Sequence, residues 1–87
     1  PTARVNCSIV ANGCFIEGTV INSVIGRGVV IKKGALVENS IVLEGSVIGE
    51  DVHLKNVVVD KSAVVSKVKE LVSDETNILY VKRQDRV

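Results

Sequence analysis

The side chains best equipped for chemistry in this 87-residue chain are one histidine, two cysteines and a scatter of lysines and arginines. His53 carries the group that most often serves as a general base near neutral pH, towards an acceptor hydroxyl or amine. In VIGEDVHLKN it directly precedes Leu54, an apolar residue expected to face inward, so on a strand the imidazole points outward into solvent. No acid stands beside it in sequence to orient the ring. Cys7 and Cys14 are too few and wrongly spaced for a zinc site, which takes four ligands in close pairs. Both read as small apolar fillers, and a disulfide between them is not expected.

Gly26-Arg27-Gly28 hints at a phosphate loop, but a nucleotide fingerprint needs further glycine and a helix opening on the phosphate. A β-branched strand follows instead, so both glycines are expected to serve a chain corner. The basic residues Arg27, Lys32 and Lys33 cluster in one short stretch, and Lys55 falls on Lys32 when the sequence is aligned on itself, so two lysines are expected to stack on one edge. Such a column repels itself unless it is solvated or faces an anion. Together with Lys82 and Arg83 in the tail, these residues form a candidate set for a phosphate-type effector, and a plain solvated surface is the other reading. No catalytic, cofactor-binding or metal-ligating set emerges.

These residues must be positioned by the run 25–59, where aliphatic residues return about every six positions with small or charged residues between them. Taking Ile25, Ile31, Val37, Leu43, Ile48 and Leu54 as anchors, every step is six except the step of five from Leu43 to Ile48. Neither an amphipathic helix nor strict alternation has that period. It suits a solenoid of very short strands joined by turns, with one aliphatic residue per flat face pointing inward. Self-alignment supports this: residues 3–10 match 35–42 without a gap, and shorter offsets pair GCFIE with GALVE and the first SVIG with the second. A five-residue repeat of valines, Val37 to Val57, competes with this reading. It would bury Glu50 and Lys55, which is costly unless they are paired.

Composition agrees with strands. Val and Ile supply 27 of the 87 residues, with five Leu, no Met and no Trp, so the interior must be thin and β-branched. A net charge of +1 argues against a general nucleic-acid or membrane-surface role. No apolar run of spanning length and no secretory signal is present, so a soluble, cytoplasmic protein is expected. Residues 1–65 are read as solenoid coils and 66–87 as a capping segment with a final strand at 78–81; SKVKELV, residues 66–72, is open between a short helix and a partial coil. Beginning at Pro1 and entering the repeat at once, the chain reads as part of something longer.

The string NCSIVANGCFIEGTVINSVIGRGVVIKKGALVENSIV, residues 6–42, resembles the carboxy-terminal left-handed parallel β-helix of bacterial ADP-glucose pyrophosphorylase, or glucose-1-phosphate adenylyltransferase. The tract VANGCFIEGTVINSV with the downstream VENSIV more closely resembles the GlgD-type subunit of that family, and ANGC, IEGTV and NSVIGRGV are more telling than the repeats, which acyltransferases share. The resemblance implies an all-β, single-stranded left-handed parallel β-helix of hexapeptide repeats. It implies an amino-terminal nucleotidyltransferase domain, absent from this stretch, that joins ATP and glucose 1-phosphate into ADP-glucose and pyrophosphate for glycogen synthesis. It also implies a GlgC-type partner subunit, homo-oligomeric assembly and an anionic effector, with no catalytic residue and no cofactor in the stretch itself. The Arg-rich segment that some catalytic subunits carry after the β-helix has no counterpart in LVSDETN, residues 71–77. Hexapeptide repeats also build acyltransferases that use a β-helix histidine as base, so acyl transfer at His53 and a plain structural spacer stand as alternatives.

Overall fold

The computed structural model describes residues 4–6, 8–74 and 76–87. Its strands stack into three parallel sheets, the flat sides of a prism. Face 1 stacks Arg4–Asn6, Thr19–Ile21, Leu36–Glu38, His53–Lys55 and Glu70–Val72. Face 2 stacks Ile9–Val10, Val24–Ile25, Ile41–Val42, Val57–Val59 and Leu79–Val81, and face 3 stacks Phe15–Ile16, Val30–Ile31, Val47–Ile48 and Val64–Val65. The chain visits the faces in the order 1, 2, 3 and repeats, which makes it a single-stranded parallel β-helix of the left-handed hexapeptide type. Among the described residues there is no helix, so none is long and apolar enough to cross a membrane.

The true period is the coil. Thr19 pairs with Leu36, Leu36 with His53 and His53 with Glu70, and this 17-residue interval also separates the partners of the Asn22–Asn39 amide bond. Within a coil the fully buried anchors are Ile25, Ile31 and Val37, then Val42, Ile48 and Leu54, then Val59 and Val65, so two steps of six are followed by one of five. The expected anchor Leu43 is therefore corrected to Val42; Leu43 is only half-buried, at the corner beyond it. The five-residue step falls between faces 1 and 2, because Asn22, Asn39 and Asn56 adopt φ of 50°, 48° and 57° there and reverse the chain with one residue fewer. Asparagine tolerates this left-handed conformation better than other residues with a side chain.

Two residues before each anchor sits a second inward position. Ser23, Val29, Ala35, Ser40, Ser46, Val52, Val57 and Ala63 fill it, all buried. The buried serines are paired within the stack: Ser40 N donates to Ser23 Oγ at 3.0 Å and Val57 N to Ser40 Oγ at 3.2 Å. Each hydroxyl in turn donates to a carbonyl, Ile21 O and Glu38 O respectively, at 2.8 Å. A buried hydroxyl so partnered avoids the desolvation cost of an unmade bond.

Departures from the regular coil lie at corners. The first coil, from Arg4 to its partner Thr19, is two residues shorter than the rest because the corner at Gly18 is abbreviated. It draws the backbone so near the next coil that a Cβ on Gly18 would lie 2.5 Å from the Ala35 carbonyl oxygen. This resolves the long irregular interval between Ile16 and Ile25: Val20, fully buried, is an anchor between them. At the other end, Val58 pairs with Tyr80, and the five residues beyond a regular coil form the excursion after Val72. Of the two readings of residues 66–72 the strand is the correct one, Glu70–Val72 continuing face 1. Asp74 closes the following turn, accepting from Thr76 N at 3.1 Å and Asn77 N at 3.0 Å.

Truncating Leu54, fully buried at the middle of the stack, to Ala is expected to cost about 2–5 kcal/mol, read as the loss of unfolding free energy in a denaturant titration. Replacing Asn39 by Ala strains a left-handed corner and removes an acceptor, and is expected to cost about 1–3 kcal/mol, with Asn39→Gly recovering the backbone share.

Candidate functional site

The asparagine corner is the most built feature of the surface. Asn22 Nδ2 donates to Asn39 Oδ1 at 2.6 Å, and Asn56 Nδ2 donates to the Ser73 carbonyl at 2.6 Å, so these amides join neighbouring coils. A cleft flanks the corner on each side. One, about 380 Å³, runs along face 2 between the amides and Val24, Ile41 and Ile78. The other, about 590 Å³, lies over face 1 and is lined by Glu38, Lys55, Asp74 and Thr76. The Thr76 hydroxyl and N–H hold the Asp74 carboxyl below its ordinary range, so two carboxylates face one lysine there. That balance suits a cation or a neutral hydrogen-bonding group better than an anion.

The six candidate effector residues do not converge. Lys55 stacks on Glu38 and Val72 on face 1, and the lysine column expected from self-alignment is corrected: Lys32 N donates to Ile48 O, which puts Lys32 beneath Gly49 at another corner. Lys33 stands below Glu50 at that same corner, where Asp51 N donates to Lys33 O at 3.1 Å. The misleading offset equals one coil plus one face, so it superposed neighbouring faces. Arg27 and Arg83 do share an edge, the corner between faces 2 and 3. Gly45 N donates to Arg27 O, Ser62 N to Glu44 O and Gln84 N to Lys61 O, each at 2.9 Å, so the column reads Arg27, Glu44, Lys61, Arg83. Lys82 lies one position further back at this edge, directly after the Val59–Val81 pair. Lys61 was not singled out in the sequence, and its spacing of one coil from Glu44 is the signal that finds it. The Gly26-Arg27-Gly28 string is the turn itself, with Gly28 at φ 67°.

His53 points outward from face 1 as expected, with its side chain 36% exposed. Its Nε2, however, is buried, has no hydrogen-bond partner and stands 3.9 Å from Glu38 Oε1. Stacking thus supplies the neighbouring acid that the sequence did not show, from the coil before. A nitrogen closed to solvent offers no approach to an acceptor substrate, and His53 lines neither cleft at the asparagine corner. Cys14 is free, half-buried and donates its thiol to the Gly26 carbonyl, a space-filling role; Cys7 lies outside the described residues. No cluster of metal-ligating side chains occurs among the described residues.

Near the end of the stack the Tyr80 hydroxyl donates to the Asp60 carboxylate. That bond is the main reason the Asp60 carboxyl is lowered, with the Lys61 N–H next, and it raises the Tyr80 phenol. A lowered carboxyl contributes stability that is present above its ordinary value and lost as pH falls through the folded-state value. Tyr80→Phe is therefore expected to lower the melting temperature at neutral pH, with the gap from the parent closing in acid; melting followed by circular dichroism across that range reads it.

Residues 2–78 match the family described as GlmU-like, C-terminal hexapeptide. The chain is 37% identical over 82 residues to a glucose-1-phosphate adenylyltransferase of Desulforamulus reducens, covering 90% of this chain and 18% of that protein. It is 39% identical over 85 residues to the enzyme of that name from Bacillus cereus, covering 98% of this chain and 21% of the relative. Over 34 residues, 39% of this chain and 10% of the relative, it is 62% identical to the glycogen biosynthesis protein GlgD of Geobacillus stearothermophilus. The chain thus spans about a fifth of the length of the curated adenylyltransferases it matches. With its regular three-faced coils and a second inward residue two places before each anchor, this chain belongs to the GlmU-like C-terminal hexapeptide family.

Proposed function

We propose that this chain is the C-terminal assembly and regulatory domain of a glucose-1-phosphate adenylyltransferase subunit of the GlgD type, acting in bacterial glycogen biosynthesis in the cytoplasm. In this reading a separate nucleotidyltransferase domain forms ADP-glucose and pyrophosphate from ATP and glucose 1-phosphate. The prism docks that domain and a GlgC-type partner subunit. The observation that carries the reading is the similarity to proteins of that name along nearly the whole chain, while the chain makes up only a fifth of their length. The geometry agrees with a noncatalytic role, since the axis of the prism is filled by aliphatic side chains and the described clefts are open surface grooves. The regulatory part rests on the Arg27–Lys61–Arg83 corner, where three cations stand with the carboxylates of Glu44 and Asp60. Acyl transfer through His53 is the weaker reading, because its Nε2 is shut away from any acceptor.

A chimera tests this. Exchanging the matched C-terminal segment of the Bacillus cereus enzyme for this chain is expected to preserve its oligomeric state and ADP-glucose synthesis, whereas deleting the segment loses both. A folded chimera that assembles and turns over no better than the deletion removes the proposal. Calorimetric titration with inorganic phosphate is expected to give heat that falls severalfold in Arg27→Ala and Arg83→Ala; equal heat in both variants removes the effector part.

A further inference from the structure

Of the six asparagines in the chain only Asn12, in VANGCF, is followed by glycine. Glycine lacks the Cβ that crowds a backbone nitrogen, so the Gly13 nitrogen can reach the side-chain carbonyl carbon of the residue before it. The structure sets this asparagine apart from those of the asparagine corner. There the N–H that follows each amide is already in use: Ser23 N donates to Ser8 Oγ at 3.1 Å, Ser40 N to Ser23 Oγ at 3.0 Å and Val57 N to Ser40 Oγ at 3.2 Å. Their side chains are also engaged, Asn22 with Asn39 and Asn56 with the Ser73 carbonyl. Asn77 is followed by Ile78, whose branched Cβ shields the nitrogen. Asn12 is exposed, and among the described residues neither its amide nor the Gly13 N–H has a hydrogen-bond partner.

Asn12 and Gly13 make the first turn of the corner between faces 2 and 3. The left-handed residue of that corner is Gly13 at φ 78°, then Gly28, Gly45, Ser62 and Gln84 at 67°, 73°, 55° and 63°. A Cβ on Gly13 would lie 3.8 Å from Gly28 N, so one glycine stands beneath the other and Asn12 stands beneath Arg27. The bond that ties this first turn to the next coil is the longest of its column. Gly28 N donates to Asn12 O at 3.3 Å, against 2.9 Å for the three corresponding bonds of Gly45, Ser62 and Gln84. A turn held by one long bond opens locally at little cost, and opening lets the Asn12 carbonyl rotate away so that the side chain can meet the Gly13 nitrogen.

We propose that Asn12 is a site of spontaneous covalent modification, deamidation through a cyclic imide, which turns an uncharged corner residue into a carboxylate beneath Arg27. The Gly13 nitrogen bonds to Asn12 Cγ, the Cγ–Nδ2 bond breaks, and ammonia leaves carrying the proton given up by the Gly13 N–H. Water then opens the ring. Addition at Cγ restores the ordinary backbone and gives aspartate. Addition at the Asn12 main-chain carbonyl carbon breaks its bond to the Gly13 nitrogen and gives isoaspartate, whose backbone runs through Cγ and is one atom longer. Aspartate keeps the register and places a negative group below Arg27, continuing the column Arg27, Glu44, Lys61 with a charge of opposite sign at that end. Isoaspartate lengthens a corner between strands of fixed register, so the pairing of Phe15–Ile16 with Val30–Ile31 just beyond it is the part that loosens. The site is a property of the fold and does not rest on the effector or assembly readings.

The test is storage of the 87-residue chain for days at neutral pH and body temperature, followed by digestion and fragment-resolved mass spectrometry. Residue 12 is expected to gain about one mass unit and to separate by chromatography into two products, one of them labelled by an isoaspartyl methyltransferase. Its conversion is expected to be about tenfold or more faster than that of Asn22, Asn39 or Asn56, and unfolding in guanidinium chloride is expected to raise the rates at Asn22 and Asn39 more than the rate at Asn12. Gly13→Ala is expected to slow the conversion about tenfold, although a side chain strains that turn. Asn12→Gln, which leaves the turn glycine in place, is therefore the second variant, expected to abolish the acidic form with an unchanged circular dichroism spectrum. An Asn12 that survives in the folded chain while converting in guanidinium chloride overturns the proposal, as does equal conversion at Asn12, Asn22 and Asn39 in the folded chain.

Discussion

The in-register hydrogen bonding of each strand to the strand one coil away is the constraint on which the whole molecule depends. It requires every coil to return at the same level and phase, and in the regular part this fixes its length to the residue. A single residue added within a strand would turn an inward side chain to solvent, because successive side chains alternate sides. Variation is therefore confined to corners. The shortened corner at Gly18 and the excursion after Val72 leave the flanking registers intact.

Stacking also turns local residue choices into columns. Asparagine repeated once per coil lets the amides of Asn22 and Asn56 reach the next coil, and serine two places before the anchor lets a hydroxyl meet the N–H of the next coil. One asparagine or serine alone would be an ordinary turn residue. Repeated in register, they tie coils together, and the serine bonds do so shielded from water, where an unmade bond is expensive. This gives a thin, largely aliphatic interior with no Trp or Met a defined geometry without aromatic anchors.

Among the described residues the axis of the prism is filled by aliphatic side chains, and the clefts described lie on its faces and corners. Apart from Arg86, which continues face 3, the charges named above fall on corners and on face 1, where both signs are mixed: Glu38 beside Lys55, Glu44 between Arg27 and Lys61, Glu50 over Lys33. Face 2 is left uncharged.

The short period, the β-branched composition and the placement of Gly and Asn were enough to define a solenoid with aliphatic residues inside and bends at the small residues. Those properties are local, since each coil uses nearby sequence to build a strand and a turn. Which residues lie above one another is not local. Offsets of two coils and of one coil plus one face both give self-alignments, because all three faces share one residue pattern. Only backbone pairing chose between them: it replaced Leu43 with Val42, separated Lys55 from Lys32, joined Lys61 to Arg27 and brought Glu38 to His53. The sequence by itself therefore determined the prism and its filling. The neighbours of every outward side chain, and with them the chemistry of each face, were decided by register, because contacts across coils join residues a full turn apart that carry no mark of their partnership.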